Sequence, residues 1–176
     1  MDNKTAKEIF QKYKGMLFFM IREENGDYEK YSSFHISKEQ EREWLREMQS
    51  ELREKLNHEQ NPKLQINYLR DYADVSRGLE DQHSFQFLLS YIEQYASVWD
   101  TDTLILATEV FFSHIQVTYN SQKLSHDNEV AINGFISSII RMLNEAKGYA
   151  ITLADKELIS NTVNNLRCYM HLNRFH

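Results

Sequence analysis

Histidine, cysteine and carboxylate are the side chains that could do chemistry in this sequence of 176 residues, which carries seven His, one Cys and 26 Asp plus Glu. A mononuclear zinc site converges three or four such groups on one ion, and His-x-x-x-His or Cys-x-x-Cys often announces it. Neither spacing occurs. Cys168 and His171 are three apart and could face one ion from a single helix, but two ligands are too few. A small thiol beside a histidine at a helix C-terminus, where positive charge is favourable, explains that pair more simply.

His114 is the more interesting histidine, because Phe111, Phe112 and Ile115 surround it on an apolar helical segment. Its neighbours four residues away are Val110 and Thr118, so no carboxylate of its own helix assists it. A metal or acid–base centre would therefore have to bring His114 together with His126 and Asp127 from the next segment. The competing role for His114 is a structural histidine whose ring is satisfied by hydrogen bonds.

Other reactive constellations are missing. The di-metal carboxylate pattern, Glu-x-x-His repeated on two helices, is absent. There is no Gly-x-Ser-x-Gly elbow, no Gly-x-x-x-x-Gly-Lys and no Gly-x-Gly-x-x-Gly. The carboxylate pairs Asp100/Asp102, Asp71/Asp74 and Asp155/Glu157 fall at helix starts or polar faces, where helix dipoles and solvent account for them. No cofactor is implied.

The segment Lys38–Leu56 offers a different kind of function. Trp44, Leu45, Met48, Leu52 and Leu56 form a narrow apolar stripe flanked by Glu and Arg, in the manner of a coiled-coil seam. About two heptads are too short for a stable coiled coil alone. The stripe therefore either meets a protein partner or a second copy, or packs on the rest of the chain and leaves a charged face in water. Lys4, Lys7, Lys12 and Lys14 with Tyr13 make a local basic cluster, but a net charge of −6 disfavours a phosphate-backbone binder.

The elements that must position these groups are mostly helices. One Pro and five Gly leave few chain breakers, and 41% hydrophobic with 26% charged residues is globular composition. The spacing predicts a helix beginning at the capping sequence Thr5-Ala6-Lys7-Glu8. Residues 16–36 have two readings: continuation of that helix to about 24, or a small β-hairpin turning at Asn25-Gly26, which the Asn-Gly dipeptide favours. Ser37 with Gln40 starts the next helix, and Asn61-Pro62 starts another that ends at Gly78 with Leu64, Tyr68, Tyr72 and Val75 on its apolar face. Further helices are predicted over 84–99, from Asp100 or Thr101 to about Tyr119, over 127–147 and over 152–172. A strand competes near Ile115–Tyr119, where β-branched residues gather. Gly134 stands inside the 127–147 helix, as a point where another helix could approach closely.

These patterns predict a mainly α fold: one domain over 1–176, an antiparallel bundle of about six helices, in which residues 1–36 form an N-terminal helix or a helix plus a small β-hairpin around 16–36. The single cysteine excludes an intrachain disulfide. The N-terminal residues lack a signal-peptide core, and the longest apolar run, Met16 to Ile21, is too short to span a bilayer, so a cytoplasmic protein with no membrane contact is expected. The function expected is a non-catalytic helical protein-interaction or regulatory module, acting on a protein partner or a second copy. The alternative is a metal-assisted or small-molecule-processing enzyme with its site assembled across helices.

Overall fold

The computed structural model of the chain describes residues 3–12, 37–119 and 126–173. Among them are seven α-helices and no strand. The choice between helix and hairpin for residues 16–36 lies outside the described residues. The chain divides into two compact units, Met1–Gln82 and His83–His176.

The first unit holds α1 (Asn3–Lys12), α2 (Lys38–His58) and α3 (Pro62–Gly78). α1 is already helical at Asn3, ahead of the start expected at Thr5. Ser37 does cap α2, its hydroxyl accepting from the Gln40 amide at 3.1 Å, and Glu39 and Glu41 in the first turn complement the helix dipole. Asn61 caps α3 by accepting from the amides of Lys63 and Leu64, with Pro62 in the first turn where its missing N–H costs nothing.

α2 and α3 run antiparallel, because their cross-links descend in register. The Arg42 guanidinium donates to the Leu79 carbonyl, Gln49 donates to Ser76 and Asp81, and Arg53 donates to the Tyr72 hydroxyl. The buried face of α3 is Gln65, Ile66, Leu69, Tyr72, Ala73, Val75 and Ser76. Leu64, expected there, is exposed, since the face is rotated toward Ile66 and Leu69. α1 lies on α2, with the Phe10 ring 5.3 Å from Trp44 and Lys7 paired with Glu47.

Gly78 is the last residue of α3 rather than a residue beyond it. A Cβ there would stand 3.1 Å from Leu45 Cδ1, so the glycine lets α3 close on α2. Glu80 follows at φ 54°, a left-handed conformation that is costly for a residue with a Cβ. It is held by amide bonds from Glu80 to the Arg77 carbonyl and from Asp81 to the Ser76 carbonyl.

The second unit holds α4 (Ser84–Tyr95), α5 (Thr101–Tyr119), α6 (His126–Tyr149) and α7 (Leu153–Asn173). α4 stops four residues earlier than its apolar pattern suggested. The amides of Val98 and Trp99 both reach the Tyr95 carbonyl in a turn, and Trp99 is still buried because its ring stacks on Tyr95 at 5.5 Å. The β-branched stretch Ile115–Tyr119 is helical, with Ile115 buried against the unit's interior. Phe85 is the centre of an aromatic cluster with Phe111, Tyr119 and Phe135, at centroid separations of 6.2, 5.6 and 5.7 Å. α6 and α7 make the most extensive helix pair of this unit and bury Ile132, Ile136, Ile139, Met142 and Leu143 from one, and Ile159, Val163 and Leu166 from the other.

Gly134 does not serve close helix approach: a Cβ there would meet nothing within 4 Å. Gly134→Ala should therefore raise stability by about 0.5–1 kcal/mol, through lower chain entropy and better helix propensity. A rise in the urea midpoint checks this; a fall would mean that the position carries a contact.

Burial is the chief cause raising the Tyr72 phenol above 10.0, outweighing the hydrogen bond and positive charge of Arg53. Below the ordinary phenol range both folded and unfolded chains keep the proton. Above it the unfolded chain ionises first, so the contribution of this residue is full below about 10 and is lost as pH rises through the raised folded value. Tyr72→Phe should flatten the alkaline loss of stability, measured by urea titration from neutral pH upward; an unchanged slope would contradict this assignment.

Candidate interaction surface

The residues singled out for chemistry are not brought together. His114 is 1% exposed on α5, and its Nε2 shares a 3.0 Å hydrogen bond with Ser84 Oγ at the start of α4. The imidazole also stacks on Phe85 at 4.4 Å. Ser84 is itself fully buried, so neither side chain faces a space that a substrate could enter. His126 and Asp127 are exposed in the first turn of α6. Among the described residues, no group of three or more His, Cys, Asp and Glu could hold a metal ion. Cys168 is a free, exposed thiol on α7.

The apolar stripe of α2 faces inward. Trp44, Leu45, Met48, Leu52 and Leu56 are all buried within the first unit, and Leu56 has no exposed surface. The solvated face of α2 is charged, carrying Glu43, Glu47, Glu51 and Glu54 beside Arg46. In the basic cluster, Lys7 is paired with Glu47, and Lys14 lies outside the described residues.

What the second unit does present is the turn between α6 and α7. Tyr149, Ile151 and Leu153 are 88%, 94% and 72% exposed within five residues. Local structure fixes this tip. The Ala150 amide closes on the Lys147 carbonyl, and Thr152 caps α7 by accepting from the Asp155 amide at 3.1 Å. The helices on either side bury their opposite faces in the unit, so the three apolar side chains stand in solvent at the tip of the hairpin. Single exposed apolar residues are ordinary on protein surfaces, whereas three large ones within five residues make this turn the candidate contact surface. Burying each would contribute about 1.5–3 kcal/mol.

Further along the same hairpin lies an open groove of about 660 Å³, lined by Ser137, Ile140, Arg141, Asn144 and Glu145 of α6 and by Arg167 and Met170 of α7. Arg141 also reaches Glu93 of α4 at 3.7 Å, a long pair between exposed groups. Ile140, Leu158 and Met170 stand at core-like helical spacing in the sequence. Here Ile140 and Met170 are half-buried groove residues, and Leu158 is 37% exposed. An exposed apolar residue inside a helical pattern looks like a core residue until the partner helices are placed. The tip had a weak signal, a Tyr-x-Ile-x-Leu run at a helix junction, read as connection and helix start.

Comparisons with family models, curated proteins and solved structures gave no match to this chain. No helix among the described residues is long and apolar enough to cross a membrane.

The buried Ser84–His114 bond is structural, and Ser84→Ala should cost about 1–2 kcal/mol by removing one buried partner. Urea unfolding followed by far-UV circular dichroism measures this; an unchanged midpoint would mean that the bond contributes nothing to the unit.

Proposed function

We propose that the chain is a non-catalytic helical interaction module, and that it associates with a second copy of itself through the α6–α7 tip. The observation carrying this reading is the near-complete exposure of Tyr149, Ile151 and Leu153 on a capped, well-packed hairpin. Water contact at such a patch is unfavourable in proportion to its apolar area, and association removes that area. A second copy is the partner because symmetric homo-oligomers are the commonest soluble assemblies and because a two-fold axis doubles every favourable contact.

An anionic membrane surface is disfavoured as the occupant. Residues 145–157 carry Lys147 and Lys156 against Glu145, Asp155 and Glu157, so no excess of positive charge accompanies the apolar tip.

The test is the molar mass of the purified chain by light scattering over a concentration series. The wild type should move from monomer toward dimer as concentration rises. Ile151→Asp combined with Leu153→Asp should stay monomeric with an unchanged helical circular dichroism spectrum. A wild type that is monomeric throughout, or a double variant that dimerises equally well, would contradict the proposal.

A further inference from the structure

Two turns of the second unit share one end. α4 and α6 run in the same direction, because Phe85 meets Phe135 at 5.7 Å and, further along both helices, Glu93 meets Arg141 at 3.7 Å. The turn after α4 and the turn after α6 therefore stand at the same end of the unit. They do not stand at the same height. Tyr149 lies eight residues past Arg141, whereas α4 ends at Tyr95, two past Glu93, a difference of about 9 Å at the helical rise. The returning helices give the same step independently. Phe112 of α5 meets Tyr169 of α7 at 4.8 Å, and these residues lie eleven past Thr101 and sixteen past Leu153, a difference of about 8 Å. The α6–α7 tip thus projects beyond a lower shelf, the α4–α5 turn. That shelf carries Val98, 74% exposed, in a turn fixed by the Val98 amide on the Tyr95 carbonyl and by the Asp100 carboxylate, which accepts from the Thr103 amide at 2.8 Å.

Resting on the proposed role of the tip, we infer that the contact between two copies takes in this shelf: the tip of each copy seats on the α4–α5 turn of the other, about a two-fold axis. A contact between tips alone is too small. Tyr149, Ile151 and Leu153 together offer about 300–500 Å² of side-chain surface, against about 800 Å² per partner in a stable interface. The step supplies further area. A two-fold axis running beside it brings each projecting tip over the partner's shelf and covers Val98 in the same contact. Such an arrangement is isologous and closes at two copies. Charge does not drive it: residues 145–157 carry two lysines against three carboxylates, and the shelf adds Asp100 and Asp102 with no lysine or arginine. Both rims are slightly acidic, a repulsion that physiological salt screens beyond about 8 Å. The apolar area is what favours the contact.

Val98→Asp tests the shelf at a position that the unit's interior does not use. By light scattering it should weaken dimerisation by at least about tenfold, with the circular dichroism spectrum and urea midpoint of the wild type. Two single-cysteine proteins test the pairing itself: Val98→Cys and Ile151→Cys, each combined with Cys168→Ser so that the native exposed thiol takes no part. Mixed in equal amounts and mildly oxidised, they should give mainly disulfide dimers that join one variant to the other, resolved by mass spectrometry. Products that join like chains only, or no product, overturn the shelf assignment. If Val98→Asp dimerises like the wild type while Ile151→Asp/Leu153→Asp is monomeric, the tip reading stands and the shelf assignment falls. A wild type that is monomeric at every concentration removes both. Should Val98→Asp fail to fold, the cross-linking pair gives the same decision.

Discussion

The apolar seam between α6 and α7 is the interaction on which the functional reading depends. Ile132, Ile136, Ile139 and Leu143 leave almost no surface to water, and Ile159, Val163 and Leu166 of the returning helix are buried with them. Once both stripes are committed to the interior, the side chains at the turn have nowhere inside to go. Thr152 then fixes the start of α7, and Tyr149, Ile151 and Leu153 are carried outward as a consequence of that closure. The same closure opens the groove on the outer side of the pair, where Ile140 and Met170 are only partly covered. Exposed apolar surface is tolerated here because the seam, not the tip, supplies the stability.

The first unit solves a different problem. α2 is heavily charged, and its stripe is narrow, so the pairing with α3 is secured at its edges by polar contacts. Arg53 donates through both Nε and Nη2 to Tyr72, whose ring is fully buried. Gln49 bridges Ser76 and Asp81, tying the residue beyond the left-handed Glu80 back to the middle of α2. Charge-assisted bonds of this kind contribute more than neutral ones when partly shielded from water. They fix the register of the two helices as well as their contact. The stripe that resembled a coiled-coil seam is core, and the seam's partner is the next helix of the same chain.

Helices were legible in the sequence where caps and a long apolar period agreed. Ser37 with Gln40 and Asn61 with Pro62 mark the starts of α2 and α3 through bonds that the structure contains. Ends were harder to read. Gly78 and Gly148 both belong to their helices instead of lying past them, and α4 gives way to a turn at Tyr95 although Trp99 stays buried. A buried aromatic in a tight turn preserves the apolar spacing of a helix without its hydrogen bonds, so spacing alone could not separate the two. Which face a helix buries was legible for α2, and less so for α3, where neighbours decide the rotation. The candidate contact surface was hardest to see. Periodicity reports that a residue is apolar on a face, and only the packing of the unit shows whether that face is covered.

The association account puts one hairpin at the centre: its inner face builds the unit and its turn meets a second copy. Hydrogen–deuterium exchange of the wild-type chain at dilute and at high concentration tests this most directly. The account predicts that amides of residues 149–153 gain protection as concentration rises, while those of the α2 and α3 interior do not change. Exchange at 149–153 that is equally fast at both concentrations would contradict it.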